Sequence, residues 1–259
     1  MENMCRAERI SLVRQRLRAL DKGCPEVRHL KQMPGLLSGA FKQEAIHELY
    51  AANAADAVAV NAFALAVGML SANGQHVVWA LDAMMASEHG TPYGVGVEEM
   101  GIDSSRVLLV KAPNIKSLLL VGEDSLKSSL VGSVVISAWG NPEAFSLNSS
   151  RRLALAAKWG GATLFCVRAG VEPSPSAAET RWSVKATAST SLAGGAPGHP
   201  SFSLTLLRRR GGGEVKNWIL EWDRDARSFR EPAPLSGAMV PVAAQRSAEA
   251  WDDSGRCVA

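Results

Sequence analysis

Apolar positions between residues 46 and 168 form five short runs separated by longer stretches of mixed character. The first run, residues 46–50, is apolar at alternate positions. The other four are almost continuously apolar and cover residues 76–81, 106–110, 132–139 and 162–168. Continuous runs of this length are typical of strands covered on both faces. The pattern of apolar runs therefore predicts several buried strands joined by helical connections. This arrangement is typical of a parallel sheet with helices on both faces.

Helices are predicted in the stretches between these runs. Apolar spacing predicts helices over about 54–70 and 115–129, and Asn148-Ser149-Ser150 is predicted to cap a third helix over 151–159. The segment VEEMGI is long enough for one or two helical turns that end at Gly101, whereas TPYGVG before it is predicted to be a loop.

The pattern changes after residue 168. Apolar side chains then alternate with polar ones in three segments, at Trp182, Val184 and Ala186, at Phe202, Leu204 and Leu206, and at Trp218, Leu220 and Trp222. Such alternation favours antiparallel strands with one buried face, and Gly211–Gly213 predicts a hairpin. The expected fold class is α/β, with a mostly parallel sheet flanked by helices and a C-terminal antiparallel β extension.

Four segments are expected along the chain. Residues 1–22 form an amphipathic helix, 23–45 a linker rich in Gly and Pro, 46–230 the core with its β extension, and 231–259 a flexible tail. The helix docks either on its own core or a second copy, or on another partner, and its apolar stripe is Ile10, Val13, Leu17 and Leu20. Trp251 is the one large anchor candidate in the tail, although a terminal tryptophan is also common in a disordered end.

Composition narrows the class of protein only slightly. The net charge of +3 is too small to argue for nucleic-acid binding by itself. The four cysteines are far apart, no histidine lies at metal-ligand spacing, and the first twenty residues lack a secretory apolar segment. The apolar window 51–70 contains Asn53, Asp56 and Asn61, so a buried helix is favoured over a membrane span. We expect a cytoplasmic protein that binds no metal.

The turn after the first strand has the outline of a phosphate-binding loop without its chemistry. In the frame G-x-x-x-x-G-K-[ST], the glycine positions hold Ala51 and Asp56, the lysine position holds Ala57, and the hydroxyl position holds Val58. We expect Asp56 to cap the following helix and to occupy the former anion site. The sequence therefore predicts no nucleotide cofactor and no catalytic residue.

A second acidic position of such ATPases is also absent. The fourth buried run ends with Ser137 and Ala138 where an aspartate would be needed. Asp82, at the end of the second run, could serve as a catalytic acid, but a turn or cap role is favoured. The G-x-G of Gly94-Val95-Gly96 neither follows a clear strand nor opens a long helix, which favours a loop over a dinucleotide site.

Two groups of arginines are candidates for contact with DNA phosphates. Arg208, Arg209 and Arg210 precede the glycine hairpin, and Arg151 with Arg152 opens a predicted helix. Arginine binds phosphate oxygens without reading base sequence. A solvated hairpin tip is the alternative, and no aromatic residue interleaves with Arg208–Arg210 to stack on bases.

Several segments together resemble the ImuA family of damage-inducible mutagenesis accessory proteins. Each is weakly diagnostic alone, and the set covers roughly residues 45–225. The segments are HELY at His47–Tyr50, PYGVGVEEMGID followed by RVLLVKA from Pro92, RRLALAAKWGGATLFCVR at Arg151–Arg168, TRWSV at Thr180–Val184, LLRRRGGG at Leu206–Gly213 and LEWD at Leu220–Asp223.

The resemblance implies a RecA-like fold with a degenerate phosphate loop and no ATPase activity. It implies a non-catalytic subunit of an SOS-induced translesion-synthesis complex that assembles with a Y-family polymerase-like protein and an error-prone replicative-type DNA polymerase. RecA recombinase and DNA are further candidate partners, and the protein would join the nucleoid after damage. Two alternatives stay open: a DNA-binding modulator of recombinase filaments, and an SOS inhibitor of cell division.

Overall fold

A computed structural model describes residues 39–140, 144–192, 194, 196–212 and 216–232. Several expectations fall outside the described residues. These are the N-terminal helix of residues 1–22 with Ile10, Val13, Leu17 and Leu20, most of the linker, and the tail with Trp251.

Nine strands and five α-helices make up the described part of the chain. The strands are β1 (Ile46–Ala51), β2 (His76–Asp82), β3 (Val107–Ala112), β4 (Val131–Trp139), β5 (Thr163–Ala169), β6 (Thr180–Thr187), β7 (Ser201–Arg209), β8 (Asn217–Asp223) and β9 (Ser228–Arg230). The helices are α1 (Ala57–Ser71), α2 (Ala83–His89), α3 (Gly94–Glu99), α4 (Ile115–Leu126) and α5 (Leu147–Gly160). Short 3-10 turns at Ala54–Asp56 and Ser104–Arg106 precede α1 and β3.

All nine strands form one sheet in the order β3-β2-β4-β5-β1-β6-β7-β8-β9. Strands β1 to β6 pair in parallel, and β7, β8 and β9 continue the sheet in antiparallel fashion. The expected fold class, a mostly parallel sheet flanked by helices with a C-terminal antiparallel extension, is confirmed. β9 and α2 were not among the predicted elements.

The antiparallel pairing predicted for β6 is confirmed on one side of the strand only. β6 pairs in parallel with β1 and antiparallel only with β7. Trp182 and Val184 are buried as predicted, whereas Ala186 is exposed. Alternation along a strand reports which face is buried, and it carries no information about the direction of the neighbouring strand.

The prediction of a loop at Gly94-Val95-Gly96 is wrong, because these residues form the first half of α3. The amide of Val97 donates to the Tyr93 carbonyl at 3.1 Å, and the Val97 side chain is buried. Burial of this one apolar side chain compensates for the poor helix propensity of two glycines.

Helix α5 begins earlier than the sequence predicts. Its cap is Ser146, whose hydroxyl accepts a hydrogen bond from the Ser149 amide at 3.3 Å, so Asn148, Ser149 and Ser150 lie within the first turn. Any of the neighbouring Ser or Asn residues is a good cap by type, and tertiary packing selects among them.

Apolar side chains cover both faces of the sheet. One core lies between the sheet and α1, and includes Leu49, Phe63 and Trp182. The other lies beneath α4 and α5. The segment Ala54–Ser71 is long and apolar enough to cross a membrane, but 72% of it is buried inside the protein, as in the core helix of a soluble domain.

The last residues of the predicted linker pack against the core. Phe41 is 5% exposed, and its ring lies 5.1 Å from the rings of both His47 and Trp182. His47 Nε2 bonds the Lys42 carbonyl at 2.8 Å, so this nitrogen carries the proton. His47 Nδ1 then accepts from the Thr180 hydroxyl at 2.7 Å. The neutral, fully buried His47 on β1 therefore connects Lys42, before β1, to Thr180 on β6.

Acid should destabilise the protein through His47. Burial lowers the pKa of this imidazole to about 4, compared with 6.5 for an unburied histidine. As the pH falls below 6.5 the unfolded chain binds a proton that the folded chain does not, and this favours unfolding. Between about pH 7 and about pH 4 we expect the free energy of unfolding to fall by about 3 kcal/mol through this group. Urea unfolding at a series of pH values measures this change.

The comparison is His47→Gln, which cannot titrate in this range. Its stability should depend less on pH than that of the unaltered chain, by about the same 3 kcal/mol. Parallel pH curves for the two proteins would contradict the neutral, buried state of His47.

Candidate functional site

The turn that follows β1 lies at the carboxyl edge of the parallel strands, where ligands bind in open α/β sheets. Ala51 ends β1, and the amide of Ala52 donates to the Val184 carbonyl at 3.0 Å. Ala57 is fully buried, whereas Val58 exposes 60% of its surface. Ala51, Asp56, Ala57 and Val58, the residues predicted to stand in a degenerate phosphate loop, therefore frame a turn bound closely to β6.

Asp56 closes this turn from within. Its Oδ2 atom accepts hydrogen bonds from the backbone and side-chain nitrogens of Asn53, both at 3.2 Å. Its Oδ1 atom accepts from the amide of Ala186 at 2.9 Å. Asp56 is 7% exposed, so three N–H donors satisfy a buried carboxylate without any cation from outside.

The expected capping role of Asp56 is found at the 3-10 turn Ala54–Asp56 rather than at α1. Asp56 forms a capping box with Asn53 in that turn, and its side chain makes no cap hydrogen bond to α1. It also binds β6 just beyond the point where β1 ends and its parallel ladder with β6 stops. An unpaired N–H at this edge of the sheet needs an acceptor, and the carboxylate supplies one. Sequence spacing alone does not reveal this contact, because Asp56 and Ala186 are 130 residues apart.

A second polar network lies at Ser137, near the end of β4. The Ser137 hydroxyl donates to Asn61 Oδ1 at 2.5 Å and accepts from Trp79 Nε1 at 3.1 Å. Asn61 Nδ2 donates to the Ala57 carbonyl at 2.8 Å. The network joins α1, β2 and β4 with neutral groups, and such an arrangement holds the helix in place without supplying a metal ligand or a base.

Asp82 is confirmed as a cap residue. Its carboxylate accepts a hydrogen bond from the Met85 amide at 2.7 Å at the start of α2. Burial raises the pKa of the Asp82 carboxyl, while backbone hydrogen bonds from Met85 and Trp139 oppose that shift. The geometry is that of a structural N-cap.

An apolar cleft of about 290 Å³ opens beside the turn, between α1, α2 and α3. Val58 and Tyr93 lie on its walls and expose 60% and 73% of their surfaces. We call these two residues the edge patch. Exposed apolar side chains that share a cleft mark an interaction surface more often than scattered single residues do.

The structure separates the five predicted DNA-contact arginines. Arg151, Arg208 and Arg210 line a groove of about 440 Å³ between α5 and the end of β7. Arg152 instead pairs with Glu123 on α4, and Arg209 donates to the Gly39 carbonyl at 2.8 Å. Three of the five thus share one surface, which we call the arginine groove.

One wall of the arginine groove rests on a buried ion pair that sequence reasoning missed. Arg181 Nε lies 2.9 Å from Glu48 Oε2, and its Nη2 donates to the Ser174 carbonyl and the Ser176 hydroxyl. The amide of Ala177 donates to Ser150 Oγ at 3.1 Å. The sequence contained one signal for this pair: Glu48 and Arg181 each lie in a short apolar strand segment, HELY and TRWSV. Charged residues rarely occur in buried strands without partners.

Neighbouring groups complete this charged cluster. The Tyr50 hydroxyl donates to Glu48 Oε2 at 3.3 Å, and burial, followed by the Glu48 charge, raises the pKa of Tyr50 to about 12. The Arg168 guanidinium stacks over the Phe145 ring at 4.1 Å. In the described residues no three His, Cys, Asp or Glu side chains come together in a way that would hold a metal ion.

Comparison with known proteins adds no relative to this picture. No protein-family model matches the chain, and no curated protein matches it.

Replacing Asp56 by alanine should destabilise the fold. The Asp56→Ala variant leaves the amide of Ala186 and the donors of Asn53 without their acceptor. We expect the free energy of unfolding, measured with urea, to fall by about 2–3 kcal/mol. The matched control is Glu99→Ala, which removes an exposed carboxylate from α3 and should change stability by less than about 0.5 kcal/mol. Equal stability of the two variants would contradict the closing role of Asp56.

Proposed function

We propose that this protein is a non-catalytic, RecA-like accessory subunit of an SOS-induced translesion-synthesis complex. It contributes a folded scaffold and binds its partners through protein surfaces. The partners follow from the family resemblance of the sequence: a Y-family polymerase-like protein and an error-prone replicative-type DNA polymerase.

The observation that carries the non-catalytic part of this proposal is the closure of the turn after β1. A nucleotide triphosphate needs backbone N–H donors, a lysine and a hydroxyl at this place. Here Asp56 uses the N–H groups of Asn53 and Ala186, and its negative charge would repel a phosphate. Alanine and valine at the lysine and hydroxyl positions offer nothing to hold the outer phosphates or Mg²⁺.

The edge patch supports the scaffold part of the proposal. It lies beside the closed turn, with Val58 at the former hydroxyl position and Tyr93 across the cleft. A large exposed tyrosine beside an apolar cleft is typical of the anchor residues of protein interfaces. A surface that served a nucleotide in an active ATPase would here serve a protein partner.

Nucleotide binding tests the first part. With a fluorescent ATP analogue and Mg²⁺, we expect any dissociation constant to be weaker than about 1 mM, because the binding groups are absent and Asp56 is fixed in place. Fluorescence anisotropy measures it. A micromolar dissociation constant would contradict the non-nucleotide assignment.

Partner recovery tests the second part. The double variant Val58→Ser and Tyr93→Ser removes two exposed apolar groups from the edge patch and leaves the core intact. We expect a tagged chain carrying it to recover about tenfold less of the polymerase-like partner from DNA-damaged cells, measured by quantitative mass spectrometry.

The matched control is Ile219→Ser on β8, where an isoleucine exposes 50% of its surface and is not part of the cleft lining. This variant should recover the partner as well as the unaltered chain does. Recovery of a cell-division protein instead of a polymerase would contradict the proposed function, and equal losses in both variants would contradict the edge patch as the binding surface.

A further inference from the structure

The arginine groove is a preformed surface that the proposed function leaves unused. One wall consists of Leu147, Arg151, Ala154 and Leu155 from the first turns of α5. The opposite wall, residues 176–178, is fixed by the hydrogen bonds of Arg181 and Ser150. Since buried groups hold this wall in place, a ligand would meet it with little ordering cost.

The groove is cationic as well as apolar. Arg151, Arg208 and Arg210 lie on its lining, and no acidic residue does. Among the described residues none of these three guanidiniums forms an ion pair with a carboxylate, whereas four other basic residues do. Arg208 makes one hydrogen bond, from Nη1 to the Ala178 carbonyl at 3.2 Å, out of the five donors of a guanidinium. The chemistry of the groove therefore fits a ligand that combines carboxylates with an apolar group.

A segment of this chain outside the described residues has that chemistry. In Glu249–Asp253 the sequence is EAWDD, which places three carboxylates around one tryptophan with no basic residue among them. An indole suits the apolar wall of α5, and the carboxylates suit bidentate pairing with arginine. Residues 233–259 contain no other acidic residue.

The length of the intervening chain also fits. Strands β7 and β9 are both antiparallel to β8, so β9 runs in the same direction as β7, toward the end of β7 that carries the arginines. Arg230 lies opposite Glu221 on β8, and Glu221 lies opposite Ser201 at the start of β7. The distance between Arg230 and Arg208 is about 25 Å. The two residues are separated by seven residues along the strand direction, at about 3.3 Å each, and by two strand spacings of about 4.8 Å across the sheet. Arg230 and Trp251 are 21 residues apart in the sequence, and a random coil of that length has a root-mean-square end-to-end distance of roughly 25 Å. A linker whose length matches its span gives the highest effective concentration.

We infer that the arginine groove binds the acidic, tryptophan-containing segment Glu249–Asp253 of the same chain. Trp251 packs against Leu155 on α5, and the carboxylates of Asp252 and Asp253 pair with Arg208 and Arg210. This contact assigns the arginine groove, which contains three of the five candidate arginines, to a protein ligand.

A peptide competition experiment tests the contact in the full chain. The probe is a fluorescein-labelled peptide of residues 245–256. The receptor is the full chain carrying Trp251→Ser, Asp252→Ser and Asp253→Ser, which empties the groove of its own segment. We expect micromolar binding to this receptor, and about tenfold or more weaker binding to the unaltered chain, because its own tail competes at a high effective concentration.

Charge reversal locates the contact. Adding Arg208→Glu and Arg210→Glu to the receptor should weaken peptide binding by about tenfold or more. A peptide carrying Asp252→Arg and Asp253→Arg should recover binding to that reversed receptor. The matched control is Arg152→Glu, which changes the charge next to Arg151 on α5 but outside the groove, and should leave peptide binding unchanged. Circular dichroism checks that each variant is folded.

Three outcomes would overturn the inference. One is equal peptide binding by the receptor and the unaltered chain. Another is a dimer, seen by sedimentation, that the tail substitutions abolish, because the segment would then bind a second copy. The third is binding of a 20-nucleotide single strand at about 0.15 M salt that needs Arg208 and Arg210 but ignores the tail, which would assign the groove to nucleic acid.

Discussion

The position of β1 between two parallel neighbours, β5 and β6, is the constraint on which the rest of the structure depends. Parallel pairing on both sides brings the end of β1 to the same edge as the ends of its neighbours. The turn that follows must therefore pack against β6, and the helix after it must cross the central strands. Both faces of β1 are covered, so its two charged or polar residues on one face, Glu48 and Tyr50, have to find partners within the protein.

Internal hydrogen bonds satisfy the buried polar groups at the carboxyl edge of the parallel strands. Asp56 accepts three N–H groups at the turn, and Ser137 links Asn61 to Trp79 one strand away. A buried polar group that lacks a partner costs about 1–3 kcal/mol, so these hydrogen bonds stabilise the fold. Two closed networks at one edge of the sheet agree with the proposed accessory role, in which the protein acts as a scaffold.

The two surfaces that remain lie on opposite faces of the sheet. The edge patch belongs to the α1 face and is apolar, whereas the arginine groove belongs to the α5 face and is cationic. Their chemistry differs enough that one ligand would not suit both. The two proposed contacts, a partner at the edge patch and the acidic segment in the arginine groove, are therefore separate, and variants of one surface can be studied without disturbing the other.

The sequence by itself determined the strands and helices of the core, since the periods of apolar residues depend only on local geometry. It also determined which side chains stand in the turn after β1, because Ala51, Asp56, Ala57 and Val58 lie close together in the chain. Tertiary structure alone decided the direction of β6, the bond from Asp56 to Ala186, the Glu48–Arg181 pair and the division of the arginines between a groove and two other contacts. Each of these joins residues far apart in the chain, and their pairing follows from the order of strands in the sheet, which no local pattern encodes.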